Sequence, residues 1–352
     1  MNQNEIFAQR LKNARVMRGF SMDDLVDAMG NNISKMSISK YENCQLAPNS
    51  SIVIAFSKAL NQPVDYFFRP FALHIDSIKF RKNKSKLTAK QERAIKENIS
   101  DLIERYINIE EICNASVLFN SPVKNIVLGD EEVKEAAKRV RDVWGLGRDG
   151  IVNVIDFLEE HGIKVLEIDA PDSFDGLSSM VNETYPVIVL NQAYSSERKR
   201  FTALHELAHM ALNFDPSVAE KEEERLCNLF ANEMLIPEIA FKMELGEFRR
   251  DISYQELKAL QMRYGISCDA LMYKAKSCGI ITEQRHRAFC ILKNRKPQFK
   301  QLVEKSLYPD EQSYRFSSLV YRALSSELIT VSKAASLLCQ SVEQVRSDLA
   351  LI

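Results

Sequence analysis

Two histidines, His205 and His209, stand four residues apart in the stretch FTALHELAHMALNF (201–214), with Glu206 directly after the first. On an α-helix, positions four apart lie on one face, so the two imidazoles can converge on one cation at about 2.0–2.1 Å from each nitrogen. Two ligands do not hold a catalytic metal, so a third must come from elsewhere while a fourth position stays open to water. The flanking Phe201, Leu204, Leu207, Ala208, Ala211 and Leu212 are apolar, which suits a buried helix and makes a charged Glu206 costly there unless it has a task. Beside a cation it has one. A carboxylate can take a proton from a water that the metal acidifies to a pKa of roughly 7, and later pass it to a leaving amine.

The third ligand is sought among Asp215, Glu220, Glu222, Glu223 and Glu224, the acids that follow closely. Steps of four along a helix from Glu224 run through Asn228 to Asn232, so Glu224 begins a polar strip beside an apolar one. Asn228, one turn on, is placed to bond the second nitrogen of a ligand histidine. The acids 220–223 also read as a hydrated turn.

These chemical residues need elements to position them. Thr88 to Glu111 predicts one long amphipathic helix, with Ile95, Ile99, Leu102, Ile103, Tyr106 and Ile109 at helical spacing, serving as a connector or a dimer seam. EEVKEAAKRVRDVWGLG and IVNVIDFLEEHG predict further helices, and IKVLEID and YPVIVLN are short β-branched runs that predict a small sheet. The histidine helix follows, then a helix that Pro237 stops, then only helices. Residues 5 to 68 show four or five short helices broken at RGFS, MGNN and CQLAPNS, with Ser21 as an N-cap before Asp23 and Asp24. Between the head and the long helix, Lys79, Arg81, Lys82, Lys84 and Lys86 make a basic linker.

Composition sets limits. The 352 residues are 45% hydrophobic and 27% charged, enough for two or three modest domains, and the net charge of −1 excludes a chain that is basic throughout. Seven scattered cysteines without CxxC spacing argue against a disulfide framework or a thiolate zinc finger. No run approaches eighteen apolar residues and the N-terminus lacks a secretory pattern, so the reading is cytoplasmic, with no membrane.

RFTALHELAHMAL followed by ERLCNLFANEMLIP resembles the ImmA/IrrE group of zinc metallopeptidases, whose pattern is HExxH, then ExxAN, then FAxELLxP. The resemblance spans about residues 125 to 285 and includes DGLSSMVNETYPVIVLN. It implies one Zn2+ per chain held by His205, His209 and Glu224, with Glu206 as the catalytic base and Asn228 as the family's asparagine; Cys227 stands where alanine is usual. It also implies that the strand Val187, Ile188, Val189 and Leu190 pairs with an extended substrate peptide, and that the substrate is a repressor whose cleavage releases stress-response or mobile-element genes. Residues 5 to 68 resemble the XRE (Cro/cI-type) helix-turn-helix. In that register Lys35, Ser37, Ser39 and Lys40 face DNA, Ile38 and Tyr41 pack inward and Glu42 matches the family's acid. Met22 stands where a glutamine is usual, and Cys44 where a turn glycine is. Residues 1 to 70 carry eight basic and six acidic side chains, so DNA affinity needs the linker or a homodimer to add contacts.

The expected fold is α+β and mostly helical: an XRE-like five-helix domain (1–70), a linker and connector helix (71–124), a zincin-like peptidase domain with a small sheet (125–285) and a helical C-terminal extension (286–352). The expected function is a regulatory zinc endopeptidase with a DNA-binding head. The alternatives are a catalytically silent regulator that uses the peptidase-like half as a sensor, or an antitoxin-type interaction protein.

Overall fold

The computed structural model describes residues 1–71, 88–123 and 125–350. The basic linker lies outside these residues. In chain order the elements are α1 (Gln3–Met17), α2 (Met22–Ala28), α3 (Lys35–Glu42), α4 (Ser50–Leu60), a short 3-10 helix (Val64–Phe68), α5 (Ala89–Ile112), β1 (Ile126–Val127), α6 (Asp130–Val143) and α7 (Val154–Glu160). Then come β2 (Lys164–Ile168), β3 (Gly176–Val181), β4 (Tyr185–Asn191), α8 (Ser196–Ala211), β5 (Asn213–Phe214), α9 (Glu220–Leu235) and α10 (Glu238–Leu245). The chain ends in α11 (Tyr254–Tyr264), α12 (Cys268–Ser277), α13 (Glu283–Arg295), α14 (Pro297–Glu304), α15 (Arg315–Ser325), α16 (Val331–Leu338) and α17 (Val342–Ala350). The fold is α+β and mostly helical.

Two compact units divide the described residues: 1–71, 88–117 and 314–350 in one, 118–123 and 125–313 in the other. This differs from the expected boundaries. The connector helix α5 packs on α1 on one side and on α15 on the other, because it is apolar on more than one face. The extension expected from residue 286 onward is split, with α13 and α14 packed in the second unit and α15 to α17 packed around Ile109 of α5.

In the first unit, α1 to α4 and the 3-10 helix close over Phe7, Leu11, Ile38, Tyr41, Phe56 and Phe67. Phe7 meets Tyr41 edge-on at 6.2 Å, and Tyr41 meets Phe56 at 5.7 Å. Such aromatic pairs add roughly 0.5–1.5 kcal/mol each beyond their buried area. Beneath them lies a buried ionic cluster, in which Arg10 donates to Glu104 at 2.7 Å while Asp101 accepts from Arg105 at 2.9 Å and also from Arg69.

In the second unit the sheet runs β2-β4-β3, with β2 parallel and β3 antiparallel to β4. Val187 pairs with Lys164 on one side and Ser179 on the other. The unbroken apolar run YPVIVLN is what a strand covered on both faces requires. Gly176 starts β3 against α8, where a Cβ would come within 2.6 Å of Thr202 Cγ2 and 2.8 Å of the Val189 carbonyl oxygen. Only glycine lets this strand lie so close to the helix. Strands β3 and β4 join through Asn182 and Glu183, both with positive φ, as Thr184 N–H bonds the Val181 carbonyl.

Candidate metal centre

Helices α8 and α9 pack together and bring the histidine pair to Glu224. The His205 and His209 Nε2 atoms are 3.2 Å apart. Glu224 Oε2 lies 3.3 Å from the first and its Oε1 lies 3.3 Å from the second. A tetrahedral cation with ligands at about 2.0–2.1 Å requires donor atoms roughly 3.3–3.4 Å apart. The separations match that requirement, and two imidazoles with one carboxylate form a set that catalytic metal sites use, so the residues fit the group.

The other ring nitrogens fix the orientation. His205 Nδ1–H donates to Asn228 Oδ1 at 3.0 Å, and His209 Nδ1 faces Glu223 Oε1 at 3.3 Å and Cys227 Sγ at 3.4 Å. Donation from Nδ1 leaves the Nε2 lone pairs aimed at the shared point. Burial opposes charge on His205, but the Glu224 hydrogen bond and the nearby Glu206 and Glu224 charges raise its pKa above the ordinary imidazole value. Hydrogen bonds from His205, then His209, hold Glu224 well below the usual carboxylate range. A field that favours a proton on Nε2 also favours a cation there.

Glu206 is buried, and its Oε2 accepts a 2.7 Å hydrogen bond from Ser178 Oγ on β3. Sequence reasoning assigned nothing to Ser178, nor to Glu223 as the partner of His209. Spacing gave no signal for Glu223, since it sits one residue before Glu224 in a run of acids. Beside Asn228 a cavity of about 420 Å³ opens among Phe201, Leu229, Asn232, Tyr273 and Lys274. Lys274 is buried there and paired with Glu233 at 2.6 Å.

The strand Val187–Leu190 does not have the role expected of it. It is the centre of the sheet, and both of its backbone edges already bond β2 and β3. A peptide cannot add to a strand whose donors and acceptors are spent. Among the described residues, β3 has only β4 as a neighbouring strand.

In the head, α2 and α3 form the helix-turn-helix. Lys35 and Lys40 are exposed on α3, and Ser37 and Ser39 are half-exposed. Ser37 bonds the Ser34 cap, Asn43 donates to Ser39 at 3.2 Å, and Lys35 is ion-paired with Asp23 at 2.6 Å. Ile38 and Tyr41 are buried. The Glu42 side chain is 3% exposed and takes a two-pronged bond from Arg15, at 2.6 and 2.9 Å, so it fastens α3 to α1. Cys44 has a φ of 59°, the left-handed conformation for which glycine is usual.

Fold and site together define a helix-turn-helix module joined to a metallopeptidase-type domain. Residues 158–276 match the family model of the IrrE N-terminal-like domain (Peptidase_M78), and residues 11–67 match that of the helix-turn-helix (HTH_3). The chain is thus a fusion of an XRE-type helix-turn-helix with an IrrE-like domain, a DNA-binding regulator with a peptidase-like half. No curated protein matches the chain. Among the described residues, no helix is long and apolar enough to cross a membrane.

Proposed function

We propose that the protein is a regulatory zinc endopeptidase that cleaves a protein substrate, in particular a transcriptional repressor, and that its head binds DNA. The observation that carries this reading is the triangle of His205, His209 and Glu224 donor atoms with the buried carboxylate of Glu206 adjoining it on the same helix. When bound, zinc supplies a Lewis acid and lowers the pKa of water. His205 and His209 present Nε2 to it, and Glu224 contributes its carboxylate. Glu206 is the base. Ser178 occupies Oε2, and no bond to Oε1 occurs among the described residues, so Oε1 accepts the proton and returns it to the leaving amine.

The substrate backbone adds along the side of β3 away from β4, on the strand that carries Ser178, by main-chain hydrogen bonding. This puts an extended peptide beside Glu206 and takes over the role expected of Val187–Leu190. DNA contact runs through the exposed Lys35 and Lys40, with Ser37 and Ser39 beside them. The protein acts in the cytoplasm.

The test is co-expression of the protein, or its Glu206→Gln variant, with candidate transcriptional repressors from the same cell. A fragment should appear with the parent alone, while both proteins retain about one zinc per chain by metal analysis. Cleavage that survives Glu206→Gln, or protein purified without zinc, overturns the reading.

A further inference from the structure

Arg69 follows the 3-10 helix at the end of the head, and the residue is 8% exposed. Its Nη2 donates to Asp101, but Nε and Nη1, though buried, have no acceptor among the described residues. A guanidinium carries five N–H donors and no acceptor, and buried donors of a charged group left without an acceptor are rare and costly. The face of Tyr66 lies 5.3 Å from the guanidinium carbon, a contact that does not use the in-plane N–H groups.

Arg69 borders a cavity of about 210 Å³ that is separate from the metal centre and lies wholly within the helical unit. Arg105 and Asn108 of α5 and Lys333 and Leu337 of α16 also line it, with Glu104. Its carboxylates are engaged. Asp101 is taken by Arg69 and Arg105, and Glu104 receives Arg10. Lys333 is half-buried and has no ion pair among the described residues. Burial, then the charge of Arg69, lowers its pKa, whereas Glu104 and the exposed Asp65 offset this only in part. Cations therefore crowd a small cavity without enough acceptors of their own.

We propose that this cavity binds one small phosphate-type oxyanion, inorganic phosphate or a compact phosphomonoester, through the free N–H groups of Arg69, the Lys333 ammonium and the Asn108 amide. A tetrahedral, multiply charged anion answers several converging cations, and the planar fork of an arginine suits its oxygens. The volume is too small for a nucleotide. Arg69 and Arg105 are both recessed, at 8% and 7% exposure, beyond the reach of a duplex backbone. An anion held here ties the residue that ends the helix-turn-helix module to α5 and to the C-terminal helix α16.

The experiment is calorimetric titration of the full chain with inorganic phosphate at fixed ionic strength against a chloride background. Saturable one-to-one binding is expected, weakened about tenfold or more by Lys333→Ala, as for the loss of a charged hydrogen bond. Lys333→Arg should restore most of it. Circular dichroism checks the fold, and Asn108→Ala provides a second variant that should weaken binding in the same direction. Glycerol phosphate distinguishes a phosphomonoester ligand from free phosphate by binding more tightly. The proposal is overturned by absence of saturable binding up to about 20 mM phosphate, an affinity weaker than any specific site of this kind needs. Unchanged binding in both Lys333→Ala and Asn108→Ala, or displacement of the phosphate by duplex DNA, also overturns it.

Discussion

Ser178 on β3 donates its hydroxyl proton to Glu206 Oε2 on α8 across 2.7 Å, which couples the sheet edge to the residue proposed as the base. A hydrogen bond to a charged carboxylate is worth about 1.5–3 kcal/mol. Ser178→Ala should therefore slow cleavage roughly 10- to 100-fold at unchanged zinc content. Turnover measured beside metal analysis checks this; a normal rate would remove Ser178 from the mechanism. Gly176→Ala should act through the same contact, because its Cβ forces β3 away from α8.

The two ring partners of the histidines should affect metal retention less than the ligand does. Asn228→Ala removes the acceptor of His205 Nδ1–H, and Glu223→Ala removes one neighbour of His209 Nδ1, which also faces Cys227; each is expected to weaken zinc binding about 10- to 100-fold. Glu224→Ala removes a donor and should weaken it far more. Competition with a chromogenic chelator ranks the three, and equal losses for Glu223→Ala and Glu224→Ala would mean that the wrong carboxylate has been assigned.

Asp101 gives the helical unit a pH dependence of definite sign. Burial alone would raise its pKa, but Arg105, then Arg69 and Arg10, override this and lower it. Its contribution is therefore complete above the unfolded value of about 3.9 and is lost as pH falls through the lower folded value. Asp101→Asn should cost about 3–5 kcal/mol at neutral pH, because it leaves buried cations uncompensated. In urea titrations the gap between the two proteins should hold from about pH 7 to 5 and narrow below about pH 4.

Cys44 should be improvable. It is exposed and occupies a left-handed conformation after α3. A side chain there costs about 1–2 kcal/mol, part of which glycine returns as backbone entropy. Cys44→Gly should stabilise the head by about 0.5–1 kcal/mol, read as a higher denaturation midpoint.

The parts of this molecule that follow from short-range pattern were legible in its sequence. Apolar spacing outlined α5 from Thr88, and the interval between His205 and His209 set both imidazoles on one helix face. Strand β3 was harder to read, since Ser178 and Ser179 are polar residues that the fold buries and the turn at Asn182 and Glu183 lacks the usual glycine. The position of β4 was misjudged for a related reason. Its continuous apolar run marks a strand covered on both faces, but which strands flank it is a long-range matter. Glu223 and Glu224 adjoin in sequence, and only the packing of α9 on α8 sends one to Nδ1 and the other to Nε2. Arg69 gave no sign in the sequence, because its unused donors arise from helices far apart along the chain.

The polypeptide leaves the helical unit after residue 117 and re-enters it at residue 314. The peptidase-like half is thus an insertion, tethered at both ends to the same body. Loss of residues before 118 or after 313 would damage the helical unit first and spare the peptidase-like one. A single nick inside the insert would not set either half free, so liberating an independent peptidase would require two separate scissions.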